Sequence, residues 1–303
     1  MSIDLHKALK IRAVNEWRLF WLISIPMSMV ILVKMMSTDL SSAPGVSEMI
    51  SFSVRWAVPF IYLVVAASAI QVLYTGPVPL WLRRNRKYLG LCFAVAMAWQ
   101  GLFIFMMSNF YRVYYFEEIY FFRDELEGST GYIFLAAMVL TTFQFARKRL
   151  SPAQWRLAHL SGMYFLWAYP FSVYWWNLHY YAQPRPIDYV FYWAGFLAFA
   201  LRIAAWGKKC QQAALQDVSV TRLPKACTTL GAITIALGLL IAGSGRQWQA
   251  LVTALLTGPD WSANLELWLP FWPFEPFLSL GIIGLGVMLI AKSRAQILPV
   301  VGN

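Results

Sequence analysis

Residues 147–179, RKRLSPAQWRLAHLSGMYFLWAYPFSVYWWNLH, are the stretch on which the interpretation of this chain depends. They begin with a basic run and continue as an aromatic, apolar segment long enough to cross a bilayer, which takes about 20 residues. His159 lies near the start of that segment, and of the chain's three histidines it alone falls within a hydrophobic span. Because an ionisable side chain is costly to bury in a membrane, His159 is a candidate functional residue.

The composition places the chain among integral membrane proteins. Of its 303 residues, 59% are hydrophobic and only 13% are charged, whereas soluble domains carry about a quarter charged residues. Aromatic residues make up 17%, and Tyr and Trp concentrate where a bilayer meets water. Cys92, Cys210 and Cys227 are too few and too scattered for a disulfide framework or a thiolate metal site. We therefore predict an all-α integral membrane protein.

Eight apolar segments are predicted to be transmembrane helices. They cover residues 17–36, 54–74, 88–107, 132–146, 157–177, 189–206, 226–243 and 277–291. The predicted organisation is a polar head at 1–16, a six-helix domain at 17–206, a polar basic loop at 207–225, and a region at 226–303 with the last two spans. Prolines 259, 270, 273 and 276 exclude a regular spanning helix over residues 256–277, so an interfacial or re-entrant segment is predicted there.

The basic residues alternate between rich and poor loops, and this pattern predicts the orientation. The head, the tail and the loops after the even-numbered spans carry most of them, as in RRNRK at 83–87. Because cytoplasmic loops are enriched in Lys and Arg, both termini are predicted to be cytoplasmic in a bacterial-type inner membrane. This orientation accounts for the net charge of +11, so no nucleic-acid partner is predicted.

Two segments on the predicted outer side, residues 111–127 and 261–277, are rich in aromatic side chains, and the first contains five acidic residues. Lipid alone explains aromatic rings at an interface. It does not explain the acids, because headgroup surfaces attract basic residues. We predict that the two segments form an outer cap that meets a membrane or periplasmic protein subunit; simple anchoring in the bilayer is the alternative.

Residues 80–107, LWLRRNRKYLGLCFAVAMAWQGLFIFMM, resemble the third span of the ferric-reductase-like transmembrane domain family. That family has a basic run, then LGL, then an aromatic-rich helix with a haem-ligating histidine. TTF at 141–143 resembles its Thr-Ser-Phe, and WRLAH at 155–159 resembles its Trp-Arg-x-Leu-His. The resemblance covers the six-helix domain. It implies a b-type haem protein related to the haem-binding membrane subunit of the methionine sulfoxide reductase system.

The chain departs from this family at the haem ligands. The third-span histidine should fall near Gln100, and a second one, found in some relatives, near Met97. His159 is kept in the fifth span, but its companion would fall near Ser172 or Val173, neither of which ligates haem iron. The departure favours a protein without haem. A haem b held through His159, with Met97 or Gln100 as further contacts, is the alternative.

The positions of these residues along their helices support the interpretation that the protein binds no haem. At 1.5 Å per residue, Gln100 lies about 18 Å into the third span, whereas His159 lies about 3 Å into the fifth. A haem with two axial ligands needs both at one depth, so these residues would belong to different levels. His159 is then interpreted as an interfacial histidine bonded to a backbone carbonyl or a lipid phosphate, Met97 as a packing residue, and Gln100 as an interhelical hydrogen-bond donor.

These observations predict a haem-free or haem-poor subunit, or assembly partner, of a membrane complex. The alternative is a b-type electron-transfer protein that passes electrons through one unusual haem to an outer-side acceptor. No segment resembles a flavin or nicotinamide domain, and no complete catalytic constellation is evident. The predicted partners are therefore the lipid bilayer and other membrane or periplasmic subunits.

Overall fold

The computed structural model describes residues 9–216, 224, 226–259, 261–262, 265 and 268–294, and over these residues the chain is helical without strands. The longer helices are α1 (Glu16–Met36), α2 (Ala43–Leu73), α3 (Pro77–Phe110), α4 (Phe122–Thr142), α5 (Pro152–His179), α6 (Pro186–Gln216), α7 (Ala226–Gly243), α8 (Gly245–Thr257) and α9 (Glu275–Arg294). Shorter helical pieces are Arg12–Val14, Arg112–Tyr114, the π-helix Tyr115–Ile119, and Gln144–Arg147. The prediction of an all-α chain is confirmed for the described residues.

Within the described ranges, six helices are long and apolar enough to cross a membrane, namely α1, α2, α3, α6, α7 and α9. Their most apolar windows have a mean hydropathy between 1.4 and 2.0, which is compatible with a multi-pass membrane protein. α4 and α5 are not among them. α4 begins with charged residues, and α5 is rich in Trp and Tyr, whose polar atoms lower its hydropathy. That these two helices also cross the membrane stays a prediction.

The helices extend beyond the predicted spans. α2 begins at Ala43, inside the predicted polar connection over residues 37–53. α3 begins at Pro77 and runs through the basic residues 83–87; proline suits a first helical turn because its φ is already fixed there. α6 continues ten residues past 206 to Gln216, so the first part of the predicted loop is helical. Apolar character ends at the bilayer boundary, whereas backbone hydrogen bonding continues past it.

The first of two compact units contains the described residues up to Ala67 together with Gly76–Pro170. Within it, polar side chains of α3 hold the start of α1. The amide of Asn85, fully buried, accepts the backbone N–H of Glu16 at 2.8 Å and donates to Asn15 Oδ1 at 3.0 Å. One of the unpaired N–H groups at the start of a helix is thereby satisfied. Further along, Trp99 Nε1 donates to Ser28 Oγ at 3.0 Å.

The second unit contains Ser68–Thr75 and the described residues from Phe171 onward. In it, α7 and α9 pack backbone to backbone through glycines. A Cβ atom added to Gly231 would lie 2.7 Å from the carbonyl oxygen of Gly286, and one added to Gly286 would lie 2.6 Å from that of Gly231. Small residues permit such close approach between membrane helices. α8 follows α7 directly and was not predicted from the sequence.

The proline-rich segment at 256–277 lies partly outside the described residues. Where it is described, α8 ends at Thr257, two residues before Pro259, and α9 begins at Glu275, directly before Pro276. The helix that contains the eighth predicted span, α9, therefore begins two residues earlier than the span predicted at 277–291. The predicted division at 17–206 and 226–303, which rests on the family resemblance, stays a prediction.

Candidate functional site

A cavity of about 500 Å³ lies within the first unit and includes His159 in its wall. α2, α3, α4 and α5 line it, together with Arg147 from the connection between α4 and α5. Much of the wall is apolar, including Ile61, Val64, Leu135, Met138, Leu160 and Leu166. Its polar groups are Arg86, Lys87, Thr141, Thr142, Arg147, Trp155, Arg156 and His159. The residue singled out from the sequence thus lies in a cavity with both polar and apolar walls.

His159 is half-buried near the start of α5, and its ring is fixed by two contacts. Nε2 lies 2.8 Å from Oγ1 of Thr141 on α4. The imidazole packs on the indole of Trp155 one turn earlier, with ring centres 4.3 Å apart, and Trp155 Nε1 donates to the carbonyl of Thr141 at 3.2 Å. The partner of His159 Nε2 is therefore a threonine hydroxyl, and a lipid partner for the ring stays a prediction.

The hydrogen bonds of Thr141 determine which way the bond to His159 runs. The Thr141 hydroxyl donates its single proton to a backbone carbonyl one turn earlier, that of Ala137, at 2.6 Å. A hydroxyl has one proton to give, so Thr141 Oγ1 accepts from His159. While this bond is made, the imidazole carries a proton on Nε2, and that atom has no lone pair for a metal.

Basic residues dominate the polar wall of the cavity. Arg86 and Lys87 come from α3, Arg147 from the connection and Arg156 from α5. Among the described residues, the lining therefore carries four formal positive charges and no acidic side chain. The Arg147 guanidinium lies 4.8 Å from the centre of the Trp155 ring, close enough for a cation–π interaction. The electrostatic environment of the cavity therefore favours an anion.

Met97 and Gln100, the other predicted site residues, are not in the cavity lining. Both contact Tyr132 of α4, whose hydroxyl lies 3.2 Å from Gln100 Oε1 and 3.2 Å from the Met97 carbonyl oxygen. Gln100 is thus hydrogen-bonded between helices, as predicted, through Tyr132 of α4. Its role as the donor stays a prediction, because the Tyr132 hydroxyl has one proton and two possible acceptors. Tyr132 and Thr141 are nine residues apart on α4, which is about 13 Å along the helix. The structure therefore does not bring Gln100 and His159 together.

The residues around His159 do not fit a haem with two axial protein ligands. Nε2 is occupied as a donor to Thr141. Gly162, where a missing side chain could admit a flat ring, is covered, because an added Cβ would lie 2.6 Å from Met138 Sδ and 3.2 Å from Phe134. The polar side chains that α3 places at the cavity are Arg86 and Lys87. Neither is one of the usual residue types that bind haem iron in proteins.

The acidic segment at 111–127 consists of two short helical pieces followed by the first turns of α4. Its acids differ in exposure. Glu127 is 2% exposed and accepts from Arg123 Nε at 3.2 Å. Glu117, Glu118, Asp124 and Glu125 are exposed. The Tyr115 hydroxyl donates to Glu125. Burial is the largest of the causes that raise the pKa of Tyr115 well above its ordinary value, and the Glu125 carboxylate is the second.

A buried carboxylate in the second unit was missed by sequence reasoning. Glu275, the first residue of α9, is 1% exposed and accepts hydrogen bonds from the hydroxyls of Tyr180, at 2.8 Å, and Thr253. His179 lies at the end of α5 against Gly245, with its Nε2 buried. The sequence feature that could have indicated this site is Glu275 itself, an acidic residue directly before Pro276 at the start of an apolar segment. Within the described ranges, no group of three or more His, Cys, Asp or Glu residues could hold a metal ion.

Comparison with protein-family models, with curated proteins and with solved structures finds no match to this chain. The fold and the site define an all-α protein, compatible with multiple membrane crossings, that has a basic cavity with apolar walls in its first unit. The resemblance to the ferric-reductase-like family stays a prediction.

Proposed function

We propose that this chain is a haem-free relative of the ferric-reductase-like transmembrane domain and acts as an integral subunit or assembly partner of a membrane complex. The observation that carries the proposal is the bond from His159 Nε2 to Thr141 Oγ1. The atom that would bind iron in a haem protein here joins α4 to α5. In this function His159 stabilises the helix packing instead of holding a cofactor.

In the proposed topology, α4 and α5 cross the bacterial inner membrane together with the six more apolar helices, and both termini are cytoplasmic. The clustering of Arg86, Lys87, Arg147 and Arg156 at one cavity supports placing that end of the first unit at the cytoplasmic surface. The polar first turns of α4, which include Arg123 and Asp124, then lie outside the hydrocarbon region on the opposite side.

The proposed docking surface for a partner is the exposed part of residues 111–125. Glu117 and Glu118 lie among exposed rings, with Phe116 at 51% and Phe121 at 63% exposure. A bilayer accommodates the rings but not the acids, because headgroup surfaces favour basic residues. A protein partner with basic side chains around an apolar patch complements both features.

Electron transfer through one haem is the second candidate function, because a cavity of about 500 Å³ does adjoin His159. It requires the imidazole to leave Thr141 and to present an unprotonated Nε2. The absorbance spectrum of the purified full-length protein separates the two functions. The proposal expects no Soret band and a co-purifying protein at a fixed ratio; a Soret band with a reducible α band would support the haem function instead.

A further inference from the structure

The cavity at His159 combines features that no role in helix packing requires, namely basic side chains from three parts of the chain and an apolar interior. We infer that it is a binding site for an anionic phospholipid, with the phosphate held by Arg147 and Arg156 and an acyl chain against the apolar wall. The inference goes beyond the proposed function, because it concerns a lipid ligand rather than a protein partner.

The first argument is charge. Four cationic side chains line one cavity, and the described part of its lining contains no carboxylate. Like charges brought together at a low-dielectric surface repel one another, so an anion between them stabilises the arrangement. Arg guanidinium groups bind phosphate oxygens through two parallel N–H donors, which makes Arg147 and Arg156 suited to a phosphate.

The second argument is pre-organisation. Arg147 does not extend freely from the connection, since its guanidinium lies over the Trp155 ring at 4.8 Å. Trp155 is held in turn by its bond to the Thr141 carbonyl and by its tilted packing against His159. A cation fixed before binding loses less conformational freedom when the ligand arrives. His159 thus supports a phosphate site indirectly, through Trp155.

The third argument distinguishes a lipid from a free phosphate. The basic residues lie at the ends of predicted spans: Arg86, Lys87 and Arg156 immediately precede the third and fifth, and Arg147 directly follows the fourth. Leu135, Met138 and Leu166 line the same cavity from within their helices. Inorganic phosphate would leave this apolar wall in contact with water. A phospholipid covers this wall with an acyl chain while its phosphate meets the arginines. Basic pockets between membrane helices on the cytoplasmic side are typical sites for anionic headgroups.

The test uses the full-length protein, purified and delipidated in mild detergent, and native mass spectrometry to count bound lipid. Phosphatidylglycerol and phosphatidylcholine with identical acyl chains are offered at equal concentration. We expect preferential retention of phosphatidylglycerol, and we expect the R147Q/R156Q variant to lower its affinity on the order of tenfold, since each factor of ten corresponds to about 1.4 kcal/mol. Size-exclusion chromatography checks that the variant is folded.

The matched control is K148Q/R149Q. These two exposed residues stand in the same basic loop as Arg147 but do not line the cavity. The control removes as many positive charges as R147Q/R156Q does, and it should leave phosphatidylglycerol binding unchanged. Equal losses in both double variants would overturn the inference, because they would indicate diffuse attraction to the basic loop rather than a site.

Two further outcomes also overturn it. Equal retention of the two lipids would show that the headgroup charge is not recognised. Thermal stabilisation by inorganic phosphate alone, if it matched that by phosphatidylglycerol and was lost in R147Q/R156Q, would assign the cavity to a free anion. Co-purification of a protein partner is scored separately, so failure of the lipid site and failure of the proposed function are distinguishable.

Discussion

The Nε2 atom of His159 lies 2.8 Å from the Oγ1 atom of Thr141, eighteen residues earlier in the chain and on the preceding long helix. Because the Thr141 hydroxyl already donates to the carbonyl of Ala137, the imidazole is the donor in this contact. An ionisable residue in an apolar segment thereby has a hydrogen-bond partner for its Nε2 atom. The bond connects α4 to α5 at the cavity, and the account of this protein as haem-free depends on it.

Replacing Thr141 tests the energetic role of this bond. T141V keeps the side-chain shape but removes the hydroxyl acceptor, which leaves the His159 N–H without its partner. The bond from Trp155 Nε1 to the main-chain carbonyl of residue 141 is retained. An unsatisfied buried donor costs about 1–3 kcal/mol, so thermal unfolding of T141V in detergent should occur at a clearly lower temperature. T141S retains the hydroxyl and should unfold close to the wild type. Equal stability of T141V and the wild type would contradict the assigned bond.

The glycine contact between α7 and α9 makes a separate prediction. In G286A the new methyl group would lie 2.6 Å from the Gly231 carbonyl oxygen. The two backbones must then separate, and overpacking of this kind costs about 1–3 kcal/mol. Gly284 is the matched control on the same helix, because an added Cβ there meets nothing within 4 Å. G284A should be neutral or slightly stabilising, since Ala is the better helix former.

If both substitutions lower the unfolding temperature equally, the effect comes from helix propensity or the lipid environment. The assigned close contact between the backbones of α7 and α9 would then be contradicted.

The exposed acids of the outer segment are predicted to contact a protein partner. E117K/E118K should weaken recovery of the co-purifying protein, because it reverses two charges on the proposed docking surface. D39K/E48K is the matched control, since both acids are exposed and lie on or beside the connection between α1 and α2, on the same predicted side. Quantitative affinity purification at low and raised salt measures the difference. Unchanged partner recovery in E117K/E118K at both salt concentrations would reduce the segment to a membrane anchor.

The proposed topology predicts the location of each loop. C-terminal reporter fusions after Lys87, after Arg149 and after Lys209 should report the cytoplasm, whereas a fusion after Glu125 should report the outer side. The fusions after Glu125 and Arg149 are decisive for α4, which is not among the six most apolar helices. The same side for both would show that α4 does not cross the membrane.

The sequence predicted the helices better than their ends and their contacts. Apolar runs located α1 to α7 and α9, because the length of a span follows from the bilayer. They could not locate the start of α2 at Ala43 or the end of α6 at Gln216, since polar residues continue a helix without lengthening its apolar part. The amphipathic α8 has no such run and was missed.

The candidate site was only partly predictable. His159 was identified because an ionisable residue in an apolar segment is unusual. Its partner Thr141 was known only as part of a family-like TTF sequence, since pairing across helices depends on their relative rotation. Arg147 and Arg156 were interpreted only as orientation signals, yet they line the same cavity as His159. Met97 and Gln100 were chosen from the family pattern, and the structure places both against Tyr132 instead.

The most direct test of the central claim is the haem content of the full-length protein after expression in cells supplied with a haem precursor. The pyridine haemochrome spectrum is recorded for the wild type, for H159A and for T141V, with protein quantified in each sample. The account predicts substoichiometric haem in the wild type at the level found in H159A, and no rise in T141V. About one haem per wild-type chain, lost in H159A, would contradict the account and assign His159 to iron.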